Sequence, residues 1–335
     1  MYLRVHSGSC APAAPRCGPL ATISSQALSA DVSPVSNNYR GRFAPSPTCP
    51  LHFGSLVAAL GSCLDARAAG GEWLLRMEDV DEPRTVKGAA EAVLRALERL
   101  GFACDGEVEY QSRRKAHYGA AFERLRLAGD VFACACSRRE IADSSLAPDG
   151  APRYPGTCRA GLPPGRQARA WRFRVEPGTV CFEDLLQGRL CQDVAAEVGD
   201  FVVLRADGCY AYQLAVAVDD AAQGVTHVVR GADLIDSTPR QICLQRRLGL
   251  PQPAYLHLPA AVNPAGEKLS KQTRARPVDE ARPQAALAAA LAFLGQRPPA
   301  GLADAGLDEV WRWAIANWDR DKLPRCRFLP APAGC

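Results

Sequence analysis

Residues 39–77 restrict the fold more than any other part of the chain. A short strand through Arg42 and Phe43 leads into a proline-rich turn, and apolar spacing predicts a helix over about 54–69, which a glycine pair ends. The apolar run 73–77 is typical of a buried parallel strand. A strand, a helix and a second strand in this order predict the beginning of a doubly wound α/β sheet, in which ligands bind at the carboxyl ends of the strands.

Charged side chains follow several of these predicted strands. Arg42 lies near the end of the first strand and Ser46 follows it, Glu78 follows the second, and Arg230 follows a strand predicted over 226–229. Because the carboxyl ends of parallel strands meet at one edge of a sheet, we expect these side chains to line a single crevice.

Two further segments predict a site for phosphate groups. The sequence His52-Phe53-Gly54-Ser55 stands at the predicted start of the first helix, where unpaired N–H groups and the helix dipole attract anions. Far downstream, Lys268-Leu269-Ser270-Lys271 forms a short basic loop that can close over such anions.

Composition and length favour a globular, intracellular protein. A chain of 335 residues that is 47% hydrophobic and 23% charged can bury a large core. It contains neither an apolar run long enough for a membrane span nor a secretory signal, so we expect a cytoplasmic protein. Its fourteen cysteines, Cys181 and Cys191 among them, are expected to be reduced thiols apart from one metal site.

Changes in composition and residue pattern along the chain predict four regions. Residues 1–38 read as a disordered tail, 39–101 and 200–275 as the α/β domain, 102–199 as an inserted domain and 276–335 as a helical C-terminal region. Trp311, Trp313 and Trp318 recur at helical spacing in the last region, and we expect them to pack against the α/β domain.

The sequence resembles the catalytic half of glutamyl-tRNA synthetases. The resemblance is carried by RFAPSPT, HFGS, RMEDVDEPR, AYQLAVAVDD, HVVRGADL and KLSK, of which HFGS and KLSK correspond to the HIGH and KMSKS signatures of class I synthetases. More narrowly, it resembles the glutamyl-queuosine tRNA(Asp) synthetases. Ser55 replaces the second histidine of HIGH, and the stretch after Lys271 is too short for an anticodon-binding domain.

This resemblance implies a class I, Rossmann-like doubly wound parallel sheet with an inserted, zinc-containing α+β domain and a short helical C-terminal region. It also implies a site for L-glutamate. A selective site needs two separated cations for the two carboxylates and an anion for the ammonium group, which Arg42, Arg230 and Glu78 supply. By resemblance, the full glutamate site is Arg42, Phe43, Ala44, Pro45, Ser46, Glu78, Tyr212 and Arg230.

The resemblance further implies ATP-dependent formation of glutamyl-adenylate with Mg²⁺. His52, Gly54, Ser55 and Lys271 are expected to bind ATP, with His52, Lys268 and Lys271 assisting the reaction. Glutamate is then expected to pass to the queuosine base at the wobble position of tRNA(Asp). We expect a monomer with no membrane partner.

A cysteine-rich segment suggests one structural Zn²⁺ per chain. Cys134 and Cys136 form a C-x-C pair and Cys158 follows, three thiols that suit tetrahedral zinc, although buried thiols without metal have the same spacing. The family pattern adds Tyr154 as the fourth ligand.

Three other functions fit parts of the sequence. A truncated glutamyl-tRNA synthetase would charge tRNA(Glu), and a small-molecule ligase of the same superfamily should lack the arginine pair with Glu78. A catalytically silent RNA-binding paralog is favoured only by Cys49, which stands where the family usually has glycine.

Overall fold

The computed structural model describes residues 39–142, 144–269 and 275–332. The chain separates into a unit over Met1–Ser36 and a unit over Asn37–Cys335. The predictions made for the tail 1–38 and for Lys271 therefore concern residues outside the described part.

Strands and α-helices alternate along much of the described chain, except over 131–193 and near the C-terminal end. In chain order the strands are β1 (Arg40–Phe43), β2 (Glu72–Met77), β3 (Glu109–Tyr110), β4 (Val131–Cys134), β5 (Ala170–Phe173), β6 (Thr179–Asp184), β7 (Gly188–Asp193), β8 (Phe201–Leu204), β9 (His227–Gly231), β10 (Ala254–Leu258), β11 (Ala260–Val262) and β12 (Phe328–Pro330). The α-helices are α1 (Phe53–Ala68), α2 (Ala89–Arg99), α3 (Lys115–Leu127), α4 (Val194–Glu197), α5 (Tyr212–Ala222), α6 (Thr238–Leu248), α7 (Pro283–Phe293) and α8 (Leu307–Asn317). None of the helices in these ranges has the length and hydropathy that crossing a bilayer would require.

Parallel strands form the centre of the fold. β1, β2 and β3 pair in parallel, as do β9, β10 and β6. The two groups meet where the Thr226 N–H donates to the Arg40 carbonyl at 2.9 Å. Helix α1 connects β1 to β2, as the sequence predicted, and its buried apolar residues form one core with β2, α7 and α8. The prediction of an α/β fold with parallel strands at its centre is confirmed, with one antiparallel strand, β7, added at an edge.

Two strands of the segment 102–199 pair with the central strands, which an inserted domain would not require. β4 and β5 form an antiparallel sheet with β8, whereas β3 extends the sheet of β2 and β6 pairs with β10. Phe182 of β6 packs edge-on against Tyr255 of β10, with ring centroids 5.6 Å apart. The limits of the inserted domain stay a prediction.

Cys181 and Cys191 correct the expectation of reduced thiols. They face each other across the antiparallel pair β6 and β7 and are joined by a disulfide, with their Cα atoms 4.1 Å apart. Sequence spacing does not reveal this pairing, because it depends on the register of the two strands.

The C-terminal helices pack on the α/β domain, as predicted. Trp311 donates from Nε1 to the Leu100 carbonyl at 3.0 Å, and Trp313 and Trp318 contact the same core. Asp65, on α1, is 2% exposed and accepts hydrogen bonds from the Trp318 Nε1 at 3.0 Å, the Tyr39 hydroxyl at 2.5 Å and the Arg320 Nε at 2.6 Å. This carboxylate therefore ties both ends of the described chain to α1.

We predict that Asp65→Ala lowers the free energy of unfolding by about 3 kcal/mol, because it leaves the buried Tyr39 hydroxyl and the partly buried Trp318 N–H without their acceptor. Urea unfolding followed by circular dichroism measures the change. Glu72→Ala is the control: its pair with Arg40 is half exposed, and such pairs contribute about 0–1 kcal/mol. Equal effects of the two substitutions would contradict the role given to Asp65.

Candidate active site

A cleft of about 1150 Å³ opens at the carboxyl ends of β1, β2 and β9. Within the described residues it brings together all the side chains predicted to bind glutamate or phosphate. They are Arg42, Phe43, Ala44, Pro45, Ser46, His52, Gly54, Ser55, Glu78, Tyr212, Arg230 and Lys268. The prediction that Arg42, Ser46 and Glu78 share one crevice is confirmed, and the roles of these residues are taken up below as proposals.

Arg42 reaches the cleft from a buried ion pair. Its Nε and Nη2 donate to the two carboxylate oxygens of Asp220 at 3.0 and 3.3 Å. Arg76, which is fully buried, donates to the same carboxylate at 2.7 Å and to the Gln223 amide oxygen. Although burial opposes ionisation, Arg42 and Arg76 lower the pKa of Asp220 to about 2, so that this carboxylate stays charged and fixes both guanidinium groups.

Glu78 is one of the carboxylates that line the cleft. It is 9% exposed, and its Oε1 lies 3.5 Å from the Arg76 Nη2. Burial raises the pKa of Glu78 to about 7, against the opposing effect of Arg76 and Arg42. A cation that binds beside Glu78 would favour its charged form and lower this pKa.

Arg230 stands at the opposite wall, on β9. Its Nε donates to the His257 Nε2 at 3.1 Å and its Nη2 to the Thr238 hydroxyl at 2.8 Å. The Tyr212 hydroxyl lies 3.5 Å from the Arg230 Nη1, at the N-terminus of α5. These partners hold the guanidinium without neutralising its charge, because His257 is neutral: burial lowers its pKa to about 4.

The His52 side chain caps the N-terminus of α1. Its Nδ1 accepts from the Ser55 N–H at 3.3 Å, and its Nε2 lies 3.2 Å from the Ser55 hydroxyl. Because Nδ1 is the acceptor, the ring proton belongs on Nε2. Burial, and then Lys268, lower the pKa of His52 and keep it neutral. Gly54 leaves room for this arrangement, since a Cβ there would lie 3.3 Å from the His52 ring.

Lys268 and Asp233 form an ion pair at the rim of the cleft, where the Lys268 amino group contacts the Asp233 carboxylate. Lys268 belongs to the predicted phosphate loop, and Asp233 follows β9. The Lys268 charge therefore lies on the same side of the cleft as His52, whose pKa it lowers.

Cys49 fits its turn without strain. It lines the cleft, and its φ lies outside the left-handed region. Within the described ranges, Arg297 is the one non-glycine residue whose φ is in that region. A cysteine therefore replaces the family's usual glycine without backbone cost.

The predicted zinc ligands cluster in a small core of their own. The sulfur atoms of Cys134, Cys136 and Cys158 lie within 4.8 Å of one another, and Cys136 and Cys158 are 3.7 Å apart. The Tyr154 hydroxyl lies 3.6 Å from the Cys134 sulfur. Tetrahedral zinc with bonds of about 2.3 Å needs sulfur atoms about 3.8 Å apart, so this cluster could hold a metal ion.

Sequence reasoning missed several polar residues behind the cleft: Arg76, Asp184, Asp220 and His257. Arg76 and His257 each interrupt an otherwise apolar, buried strand. A charged or polar residue in such a strand requires a partner, which is the signal that could have identified them.

Comparison with known proteins agrees with the fold and the cleft. The family model for the catalytic domain of class I tRNA synthetases (E and Q) matches residues 38–297. The crystal structure of glutamate-tRNA synthetase from Elizabethkingia anophelis superposes with a TM-score of 0.72 at 24% identity, over 88% of this chain and 68% of that chain. The domain is thus a class I tRNA synthetase catalytic domain.

Closer relatives define the family. A protein of Aromatoleum aromaticum is 62% identical over 88% of this chain and 93% of its own length. Relatives from Dechloromonas aromatica and Pseudomonas aeruginosa are 60% and 52% identical, over 100% and 99% of their lengths. All three are named glutamyl-Q tRNA(Asp) synthetase. The chain belongs to this family, and the resemblance found in the sequence is confirmed.

Glu78 should make stability depend on pH. Its folded-state pKa of about 7 lies above the usual 4.5, so its ionisation destabilises the fold as the pH rises from about 4.5 through 7. We predict that Glu78→Gln removes up to about 3 kcal/mol of this dependence. Chemical unfolding of both proteins at pH 5 and pH 8 measures it. The exposed Glu107→Gln is the control, and a Glu78→Gln profile that parallels the wild type would refute the prediction.

Proposed function

We propose that this protein activates L-glutamate with ATP and transfers it to the queuosine base at the wobble position of tRNA(Asp). The observation that carries the proposal is a single cleft in which Arg42, Glu78 and Arg230 meet a helix N-terminus and Lys268. The names of relatives up to 62% identical support the same reaction. Since ATP and tRNA are its substrates, we expect it to act in the cytoplasm.

The charges of the cleft match those of glutamate. Arg42 and Arg230 supply guanidinium groups for the two carboxylates, and Glu78 accepts the ammonium group. Tyr212 lies beside Arg230 and adds a hydroxyl, while the turn from Phe43 to Ser46 forms the floor. This turn is held against β2 by the Glu78 N–H, which donates to the Pro45 carbonyl at 2.9 Å.

ATP lies with its phosphates toward the N-terminus of α1. One oxygen of the glutamate α-carboxylate attacks the α-phosphorus, the bond from this phosphorus to the bridging oxygen breaks, and pyrophosphate leaves. Mg²⁺ supplies charge neutralisation on the phosphates when bound with ATP. His52 is neutral and can direct its Nε2–H at Ser55, whose hydroxyl proton is then available to a phosphate oxygen. Ser55 would thus serve as the donor that the second histidine of HIGH provides elsewhere.

Transfer needs an acceptor hydroxyl near the new adenylate. A hydroxyl of the queuosine cyclopentene ring attacks the glutamyl carbonyl carbon, the bond from this carbon to the phosphate oxygen breaks, and AMP leaves while the hydroxyl proton passes to its phosphate. A cavity of about 1150 Å³ exceeds the roughly 300–1,000 Å³ of most single-ligand pockets, which supports a site that holds an amino acid and a nucleotide together.

Cys134, Cys136, Cys158 and Tyr154 are proposed to hold one structural Zn²⁺. Three thiolates around a divalent ion leave a net negative charge, and the buried Arg172 lies beside it. Its Nε is 3.3 Å from the Cys134 sulfur, and its guanidinium carbon lies 3.8 Å from the centre of the Tyr154 ring. The metal would fix the loop between β4 and β5, which has little apolar core.

The transfer reaction is tested with labelled glutamate, ATP and Mg²⁺ on three acceptors: tRNA(Asp) with queuosine, tRNA(Asp) without it, and tRNA(Glu). We expect label on the queuosine-containing tRNA(Asp) only. Label on tRNA(Glu) would instead identify an enzyme of translation, and the absence of label with all three would refute the proposal.

The glutamate site is tested separately by glutamate-dependent ATP–pyrophosphate exchange. Arg230→Lys and Glu78→Gln should each lower the exchange rate by about 30-fold or more. The lysine cannot form the two parallel hydrogen bonds that a guanidinium makes with a carboxylate, and the glutamine leaves the desolvated substrate ammonium group without its counter-charge. Arg40→Lys is a matched control on β1, where Arg40 is half exposed and paired with Glu72. Wild-type exchange in both site variants, with melting temperatures unchanged, would exclude this assignment.

Zinc binding is tested by elemental analysis of the purified protein. We expect one zinc per chain, a lower melting temperature after chelation, and loss of zinc in Cys158→Ser. Cys209→Ser, a partly exposed cysteine outside the cluster, should retain the metal. A metal-free protein whose melting temperature a chelator leaves unchanged would contradict the assignment.

A further inference from the structure

Arg230 is held by a chain of buried groups that extends away from the cleft. Its Nε–H donates to His257 on the neighbouring strand β10, where the two residues are paired in register. His257 is fully buried, and its Nδ1 lies 2.6 Å from the Oδ2 of Asp184, at the end of β6. Three adjacent strands of one sheet thus contribute one residue each to this chain.

The protonation of His257 follows from its contacts with Arg230 and Asp184; its third side-chain partner, the Thr238 hydroxyl, lies 3.3 Å from Nε2 and can donate to the same lone pair. Arg230 cannot accept a hydrogen bond, so the His257 Nε2 must present its lone pair to the Arg230 Nε–H. The ring proton is therefore on Nδ1, where it is donated to Asp184. The ring stacks on Tyr255 at a centroid distance of 6.2 Å, and these apolar surroundings keep it neutral.

Hydrogen bonds to one carboxylate oxygen of Asp184, Oδ1, orient the other oxygen, Oδ2, to accept from His257. Its Oδ1 receives the backbone N–H groups of Leu186, Gln187 and His257 at 3.0, 2.8 and 3.3 Å. These three donors fix the orientation of the carboxylate and direct Oδ2 at the His257 ring.

We propose that Asp184 and His257 are positioning residues, which hold the Arg230 guanidinium in the orientation that receives a glutamate carboxylate. The chain runs from the Asp184 Oδ2 through the His257 Nδ1–H and Nε2 to the Arg230 Nε–H. The identity of the ligand rests on the function proposed above, whereas the orientation of Arg230 does not. Neither Asp184 nor His257 lines the cleft, so both act through Arg230.

Asp184→Asn separates this role from simple packing. The three backbone N–H groups require an acceptor, so the asparagine must place its oxygen at Oδ1 and its NH₂ group against the His257 Nδ1. The NH₂ group forces the ring proton onto Nε2, where it opposes the Arg230 Nε–H. The shape and the backbone hydrogen bonds are kept, but Arg230 loses its acceptor.

The experiment compares the wild type with Asp184→Asn by ATP–pyrophosphate exchange and by NMR of protein labelled with ¹⁵N in histidine and arginine. We expect KM for glutamate to rise about tenfold, the equivalent of one hydrogen bond to a charged group, with KM for ATP unchanged and kcat within about threefold. The His257 signals should change from the Nδ1–H to the Nε2–H tautomer.

Two further variants complete the design. His257→Phe keeps a ring next to Tyr255 and removes both nitrogen atoms, so it should also raise KM for glutamate selectively, and it serves if Asp184→Asn does not fold. Glu183→Gln changes an exposed neighbour on β6 and should match the wild type. A KM for glutamate within about twofold of wild type in the folded variants, or an Nε2–H tautomer in the wild type, overturns the proposal.

Failure of the proposed function would look different. If the wild type shows no exchange with glutamate, the proposed activity is wrong, and the NMR measurements alone test the positioning role. An Nδ1–H tautomer that Asp184→Asn reverses, together with a shifted Arg230 Nε–H signal, supports it. An unchanged Arg230 signal overturns it.

Discussion

The carboxylate of Asp220 lies beneath the cleft, between the guanidinium groups of Arg42 and Arg76. All three side chains are at most 4% exposed, and they come from α5, β1 and β2. Burying an unpaired charge costs several kcal/mol, so none of the three could lie there without the others. The packing of α5 against the ends of β1 and β2, and with it one wall of the cleft, depends on this ion pair.

The adjoining Asp219 extends the same constraint to the segment 102–199. It is fully buried and accepts hydrogen bonds from Gln111 at 2.9 Å, the Arg114 Nε at 2.7 Å and the Tyr118 hydroxyl at 2.7 Å. Two successive acids at the end of α5 therefore face different partners: Asp220 orients the substrate side and Asp219 anchors the start of α3. Arg76 lies near both acids, with its Nε 3.9 Å from the Asp219 Oδ2 and its Nη2 2.7 Å from the Asp220 Oδ1, so this guanidinium links the two sets of contacts.

The sequence could predict features that depend on local residue pattern, but not those that depend on how strands pair. Strand ends are visible in the hydrophobic pattern, so Arg42, Glu78 and Arg230 could be placed at one edge before any coordinates were known. The Asp184–His257 pair could not, because it depends on parallel pairing of β6 with β10, which lie 73 residues apart. The Cys181–Cys191 disulfide joins residues only 10 apart, and it depends instead on the register of the antiparallel pair β6 and β7. Local pattern predicts which residues end a strand, and long-range pairing decides which of them touch.

Arg42 and Arg230, which both line the cleft, differ in how much of their positive charge remains available to a substrate. Arg42 gives two nitrogen atoms to Asp220, so much of its charge is already balanced. Arg230 has no carboxylate partner within the described residues, and its hydrogen-bond acceptors are an uncharged imidazole, two hydroxyls and a backbone carbonyl. Because the neutral His257 lies between Asp184 and Arg230, it orients the Arg230 guanidinium while the Asp184 carboxylate stays out of contact with that guanidinium. Arg230 is therefore the cation whose charge an incoming carboxylate would balance, and exchanging His257 for a direct acid would fix the guanidinium equally well but remove its attraction for that carboxylate.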